Sequence, residues 1–152
     1  MGRFNGPFEF RVLGPTEVLR EGEPLRFRGT RERDLLTLLV VRANRVVTSD
    51  QLVEDLWADT VPHGAVRSLR VYVSRIRQTL AGPNDLVVTA PAGYMLRTDP
   101  AAIDSARFDV LVAQGREQAT LGHHPEAATT LRAALALWRG RALMDVADRP
   151  SV

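Results

Sequence analysis

Four arginines, Arg67, Arg70, Arg75 and Arg77, fall in the stretch between Asp59 and Asp85, which holds no acidic residue. A guanidinium presents a planar fork of donors that fits a guanine edge or a phosphate, so this spacing points to nucleic-acid chemistry. At about 100° per residue, Leu69, Val73, Ile76 and Leu80 share one side of a helix, with Val66 beside them. The opposite side carries Arg67, Val71, Ser74, Arg75 and Gln78, with Ser68 nearby and Arg70 and Arg77 on a flank. One face packs; the other is basic and polar. The competing reading is a solvated helix face, the common fate of charged residues.

Other chemistry finds less support. Asp50, Glu54, Asp55 and Asp59 could form a carboxylate cluster, but a solvated helix face is the preferred reading. His63, His123 and His124 lack metal-ligand spacing, and the absence of cysteine excludes disulfides and thiolate metal sites. No phosphate loop, nucleophile elbow or His-Glu-x-x-His motif occurs. The chain reads as a non-enzyme with no cofactor and no metal.

Composition sets the frame. The 152 residues are 45% hydrophobic and 25% charged, which is ordinary globular usage. Basic residues number 20 and acidic residues 18, so the net charge of +2 does not announce nucleic-acid binding; the distribution does. Every basic residue is arginine, for which genomic base composition is the simpler explanation. The first ten residues lack a signal-peptide pattern, and the longest apolar run, Leu35 to Val41, is too short to span a bilayer. A cytoplasmic protein without a membrane partner is the expectation.

The elements that would position the arginines follow in order. Phe8, Phe10 and Val12 alternate with polar neighbours, Val18 and Leu19 carry a second strand, and Glu21 to Pro24 turn into a third over Leu25 to Phe27. Thr30 is the expected N-cap of a helix whose buried stripe is Leu35, Leu36, Leu38 and Leu39. Arg45 to Val47 is a candidate short strand. Thr48 with Gln51 matches a capping box for a second helix, with Leu52, Val53, Leu56 and Trp57 on its apolar side. The arginine helix is third. Leu86 to Thr89 and Tyr94 to Leu96, joined by Ala90-Pro91-Ala92-Gly93, read as a hairpin. A helix pair with a basic second member, followed by a hairpin, suggests a winged helix-turn-helix.

Beyond Asp99-Pro100 the pattern turns helical. Asp104 is the expected N-cap of a helix to Thr120, with Phe108, Leu111 and Val112 apolar. A second helix is expected from Pro125 to Trp138, packing through Ala127, Ala128, Leu131, Ala134, Leu135 and Trp138, and a third near Arg141 to Val146. Alanines between leucines suit the close helical hairpins of repeat proteins.

Several segments resemble the Streptomyces antibiotic regulatory protein family. They are Phe8-Glu-Phe-Arg-Val-Leu-Gly-Pro15, Val46-Val-Thr-Ser-Asp-Gln-Leu-Val-Glu-Asp-Leu-Trp57 and Leu69-Arg-Val-Tyr-Val-Ser-Arg-Ile-Arg77. Pro91-Ala-Gly-Tyr94, Asp104-Ser-Ala-Arg-Phe108 and Ala134-Leu-Ala-Leu-Trp-Arg-Gly140 extend the likeness over nearly the whole chain. The resemblance implies an α+β winged helix-turn-helix of OmpR type, with an N-terminal small sheet, three helices and a C-terminal hairpin. An all-α tetratricopeptide-like helical hairpin would follow, the start of a bacterial transcriptional activation domain. The expected boundaries are residues 1–99 for DNA binding and 100–152 for an incomplete activation domain.

The resemblance further implies a sequence-specific activator that binds direct repeats of double-stranded DNA, pairs as a homodimer there and recruits RNA polymerase holoenzyme to a secondary-metabolite gene cluster. Val71 and Arg75 match base-contacting positions, and Arg67, Ser68 and Arg77 match backbone-contacting ones. Arg70, Ser74 and Gln78 complete the presented face. Ser49, at the start of the second helix, is a phosphate candidate, and Trp57 matches a tryptophan between core and DNA backbone. The loop Asp59 to Gly64 corresponds to a polymerase-contacting loop. The wing departs from the pattern: Ala90, Ala92 and Met95 stand where arginine or threonine is common, leaving Thr89 and Arg97 as polar candidates. No phosphoreceiver domain precedes Phe8, so no phosphorylation switch is expected within the chain. The alternative function is a protein-interaction module acting mainly through the helical region.

Overall fold

In a computed structural model of the chain, residues 7–82, 84–143 and 146 are described. They form two compact units. One gathers the described residues up to Pro24 with those from Asp99 to Leu143, and Leu25–Thr98 make up the body of the other.

In the first unit, β1 (Phe8–Arg11), β2 (Glu17–Arg20) and β3 (Glu23–Pro24) form an antiparallel sheet in that order. Phe8 and Phe10 point inward on β1 with Val12 buried just beyond, as alternation predicts. The third strand lies before the expected Leu25 to Phe27. Glu21 and Gly22 both have positive φ, 51° and 87°, and Arg20 pairs directly with Glu23. Such a two-residue turn returns the chain at once, so pairing is used up by Pro24.

Helices α4 (Asp104–Thr120) and α5 (His124–Leu135) pack as a hairpin. A Cβ on Gly115 would sit 2.6 Å from Leu131 Cγ, so the bare backbone lets the two helices approach. Phe108 meets Trp138 edge-on at 5.5 Å between ring centres. Trp138 lies past the end of α5, and Leu135, expected to pack, is 65% exposed. Arg141 to Leu143 form a bend and turn rather than helix; residues 144 and 145 of that expected helix lie outside the described ones.

Asp104 is not an N-cap. Ile103 occupies that position, and the buried Asp104 carboxylate accepts hydrogen bonds from Val12 N (2.8 Å) and Leu13 N (3.0 Å). Backbone donors at the end of β1 have claimed the group that would otherwise cap α4. With the parallel bridge between Phe10 and Ile103, this draws the N-terminal sheet into the helical unit. The grouping therefore differs from the expected division at residue 99.

The second unit contains α1 (Thr30–Val41), β4 (Val47–Thr48), α2 (Ser49–Trp57), α3 (Ala65–Thr79), β5 (Val87–Ala90) and β6 (Gly93–Leu96). Helix α1 is buried on nearly every side from Glu32 to Val40, and α2 and α3 both pack on it. Gly29, not Thr30, is its N-cap, without a side-chain cap bond. Thr48 caps α2 as expected, accepting from Gln51 N at 3.2 Å, and Gln51 Nε2 donates onward to Asp55 at 3.1 Å. A second sheet runs β4-β6-β5, with β5 and β6 forming the expected hairpin. Among the described residues no helix is long and apolar enough to cross a membrane.

Candidate nucleic-acid interface

Helix α3 buries Ala65, Leu69, Val73 and Ile76, with Leu80 just beyond its end. These aliphatic side chains occur every three to four residues, so their burial turns a single opposite face outward. Arg67, Arg70, Val71, Ser74, Arg75 and Gln78 are exposed there, and Ser68 and Arg77 are half-buried. Val66, expected beside the packed stripe, is instead 44% exposed. It lies two residues past the αL N-cap Gly64, in the first turn of α3.

Three side chains tie α3 to its surroundings. Arg77 Nε donates to Val87 O at 2.9 Å, and its Nη2 donates to Thr89 Oγ1 at 2.7 Å, bracing the wing strand β5. Arg75 Nη1 donates to Glu32 Oε1 of α1 at 3.1 Å. Tyr72 stacks with Trp57 of α2 at 6.3 Å between centres, while the Arg31 guanidinium lies 5.8 Å from the same indole. Arg31 Nη1 also donates to Leu56 O. Arg67 and Arg70, by contrast, have no ion pair or hydrogen bond to their side chains among the described residues. Their charges are therefore available to an external anion.

The other sequence-derived residues surround this face. Ser49 opens α2, and its backbone N–H donates to Ala92 O in the wing turn at 3.0 Å. Trp57 is buried, with 9% of its surface exposed. Thr89 and Arg97 are exposed on the hairpin; Thr89 is partnered with Arg77, and Arg97 N donates to Leu86 O. The hairpin end is joined to the α1–β4 loop by Asn44, whose side chain donates to Thr98 O and accepts from Thr98 N.

One reading of an acidic residue changes, and one acid joins the site. Asp55 is not on a solvated face: it is fully buried and pairs with Arg42 at 3.0 Å, whereas Asp50, Glu54 and Asp59 are exposed as expected. Glu32, which sequence reasoning passed over, is the buried acid facing the arginine helix. Nothing local announces it, because its partner is 43 residues away. Among the described residues, no group of three or more His, Cys, Asp or Glu side chains could hold a metal ion.

Comparison with known proteins agrees with this geometry. Residues 23–96 match the family described as transcriptional regulatory protein, C terminal, and residues 103–152 match the bacterial transcriptional activator domain. The chain is 34% identical over 137 residues to the regulatory protein AfsR of Streptomyces griseus, covering 90% of this chain and 14% of that protein. It is 35% identical over 144 residues to the transcriptional regulatory protein EmbR of Mycobacterium tuberculosis, covering 92% of this chain and 37% of the relative. A solved structure of Mycobacterium tuberculosis EmbR in complex with low affinity phosphopeptide superposes with a TM-score of 0.89 at 34% identity. It spans 94% of this chain and 39% of that one. The chain thus represents well under half the length of these relatives.

Fold and site together define an OmpR-type winged helix joined to a bacterial transcriptional activator domain, the class of DNA-binding transcription regulators. Within that class, the chain belongs to the Streptomyces antibiotic regulatory protein family.

Proposed function

We propose that the protein activates transcription by binding direct repeats near promoters through α3 and recruiting RNA polymerase, in the service of a secondary-metabolite gene cluster. The observation that carries this reading is the exposed face of α3. It bears Arg67, Arg70 and Arg75 and no acid, on a helix whose other side is locked into the core. An α-helix of this width fits the major groove. Val71, Ser74, Arg75 and Gln78 would face base edges, while Arg67, Arg70 and Ser68 contact phosphates. Ser49 and Trp57 would meet the neighbouring backbone, and Thr89 and Arg97 the groove beside the wing. Arg77 would contact the backbone with the donors left over: its Nε and Nη2 each donate to β5, so it also sets the wing against α3.

One helix reads only a few base pairs. Useful discrimination then requires two protomers on sites about one helical turn apart, which is the physical basis for a repeat. The exposed loop Asp59 to Gly64 is the polymerase-facing candidate, and the α4–α5 hairpin belongs to the activation region. Relatives and family matches are transcription regulators, which supports a non-enzymatic role in the cytoplasm.

The test is selection of bound fragments from random DNA, followed by mobility shifts on the recovered sites. Recovered fragments are expected to hold a repeated half-site bound cooperatively. Arg67→Ala and Arg70→Ala should each weaken all sequences alike and reduce the slope of log affinity against log salt by about 1. Failure to enrich any sequence would favour the interaction-module alternative.

A further inference from the structure

Arg75 differs from the other exposed arginines of α3 in having an acid beside it. Glu32 sits in the first turn of α1, and its side chain is 2% exposed while that of Arg75 is 45% exposed. The carboxylate is held at both oxygens: Oε2 accepts from Arg28 N at 3.2 Å and Oε1 accepts from Arg75 Nη1 at 3.1 Å. A backbone donor on one oxygen and a core helix beneath leave the other oxygen in a set place. The guanidinium it holds has five N–H donors, of which this bond occupies one.

Two consequences follow from elementary electrostatics. An arginine pinned at one nitrogen presents the remaining donors in a fixed orientation, which favours planar two-point contact with a base edge. A negative charge 3.1 Å away also cancels much of its pull on phosphate. Arg67 and Arg70 have neither feature. We propose that Glu32 is a specificity-determining positioning residue. Its buried carboxylate orients Arg75 toward a guanine edge and removes Arg75 from the non-specific attraction that Arg67 and Arg70 supply. The proposal rests on α3 being the reading helix.

The test compares the full chain with Glu32→Gln, Glu32→Asp and Arg75→Ala. Base preference is measured by selection from random DNA, and the salt dependence of binding on a random-sequence duplex, with all measurements made well below each variant's unfolding midpoint. Glu32→Gln keeps an acceptor but loses the charge. It should bind random duplex several-fold more tightly, with a salt slope steeper by about 1, and lose about tenfold in preference at the base that Arg75→Ala affects. Glu32→Asp keeps the charge and shortens the reach, so preference should fall while the salt slope stays that of the wild type. If Arg75→Ala loses the preference and both Glu32 variants retain it, or if they weaken every sequence equally, the positioning role is overturned. If Arg75→Ala leaves the preference intact, the reading-helix assignment itself fails.

Discussion

Asp55 shows how far one side chain can depart from its surroundings in sequence. It stands among Asp50, Glu54 and Asp59, all exposed, yet it is the one that α2 turns into the core. There it meets Arg42 just past the end of α1 and accepts from Gln51, so the pair clamps together α1 and α2, on both of which α3 packs. Removing one partner of a buried ion pair strands the other and costs about 3–5 kcal/mol. Asp55→Ala is therefore expected to lower unfolding free energy in urea by roughly that amount, whereas Asp50→Ala should change it by no more than about 0.5 kcal/mol. Equal effects would show that the clamp contributes nothing special. Aliphatic periodicity could not separate these acids, because it marks the stripe and not the occasional charge that the stripe admits.

The wing's place is decided by a close approach of strands. In β6, Gly93 pairs with Thr48, and a Cβ there would stand 1.9 Å from Val47 O, far inside contact distance. The β4–β6 pairing thus depends on a missing side chain. The neighbouring bond from Ser49 N to Ala92 O fastens the wing turn to the start of α2. Gly93→Ala must push β4 away from β6. It is expected to destabilise the Leu25–Thr98 unit by about 1–3 kcal/mol, as overpacking does, and to weaken DNA binding more than its stability loss explains. Circular-dichroism melting beside mobility shifts would check this; an unchanged midpoint would show that the strands can part freely. The hairpin itself was legible from alternating residues around Ala90 to Gly93. Its attachment to β4 was not, since no local pattern specifies which strand a glycine allows in.

At the scale of the whole chain, the winged-helix body lies in sequence between the two parts of the other unit. That unit must be closed by contacts distant in sequence, and Glu9 supplies one. Its carboxylate accepts from Arg11 at 2.9 Å and from Arg107 of α4 at 2.8 Å. Burial raises its pKa, but the hydrogen bonds and charges of Arg11 and Arg107 outweigh it and hold the group below its ordinary 4.5. A folded-state value below the unfolded one adds stability above the unfolded value, and that increment disappears as pH falls through the folded value. Acidification below about pH 4.5 should therefore loosen this unit more in the wild type than in Glu9→Gln. Hydrogen exchange at amides of β1 and α4 reads it directly. Parallel pH profiles would mean that the carboxylate does not close the unit.

The sequence alone determined most of the helices and strands and which side of α3 is apolar, because both follow from repeats of two or three to four residues written in the local chain. It misplaced the third strand and expected a helix at Arg141 to Leu143 that the chain does not form. Leu69, Val73, Ile76 and Leu80 could be placed on one face, and the arginines on the other, with no knowledge of neighbours. Only the tertiary structure decided what each charge does. Arg77 became a brace for the wing, Arg75 gained Glu32, and Asp104 left a helix end for the backbone of β1. Those partners lie 10, 43 and 92 residues apart in the chain. A hydrogen bond is satisfied by whichever donor or acceptor folding brings within about 3 Å, and that proximity has no local signature.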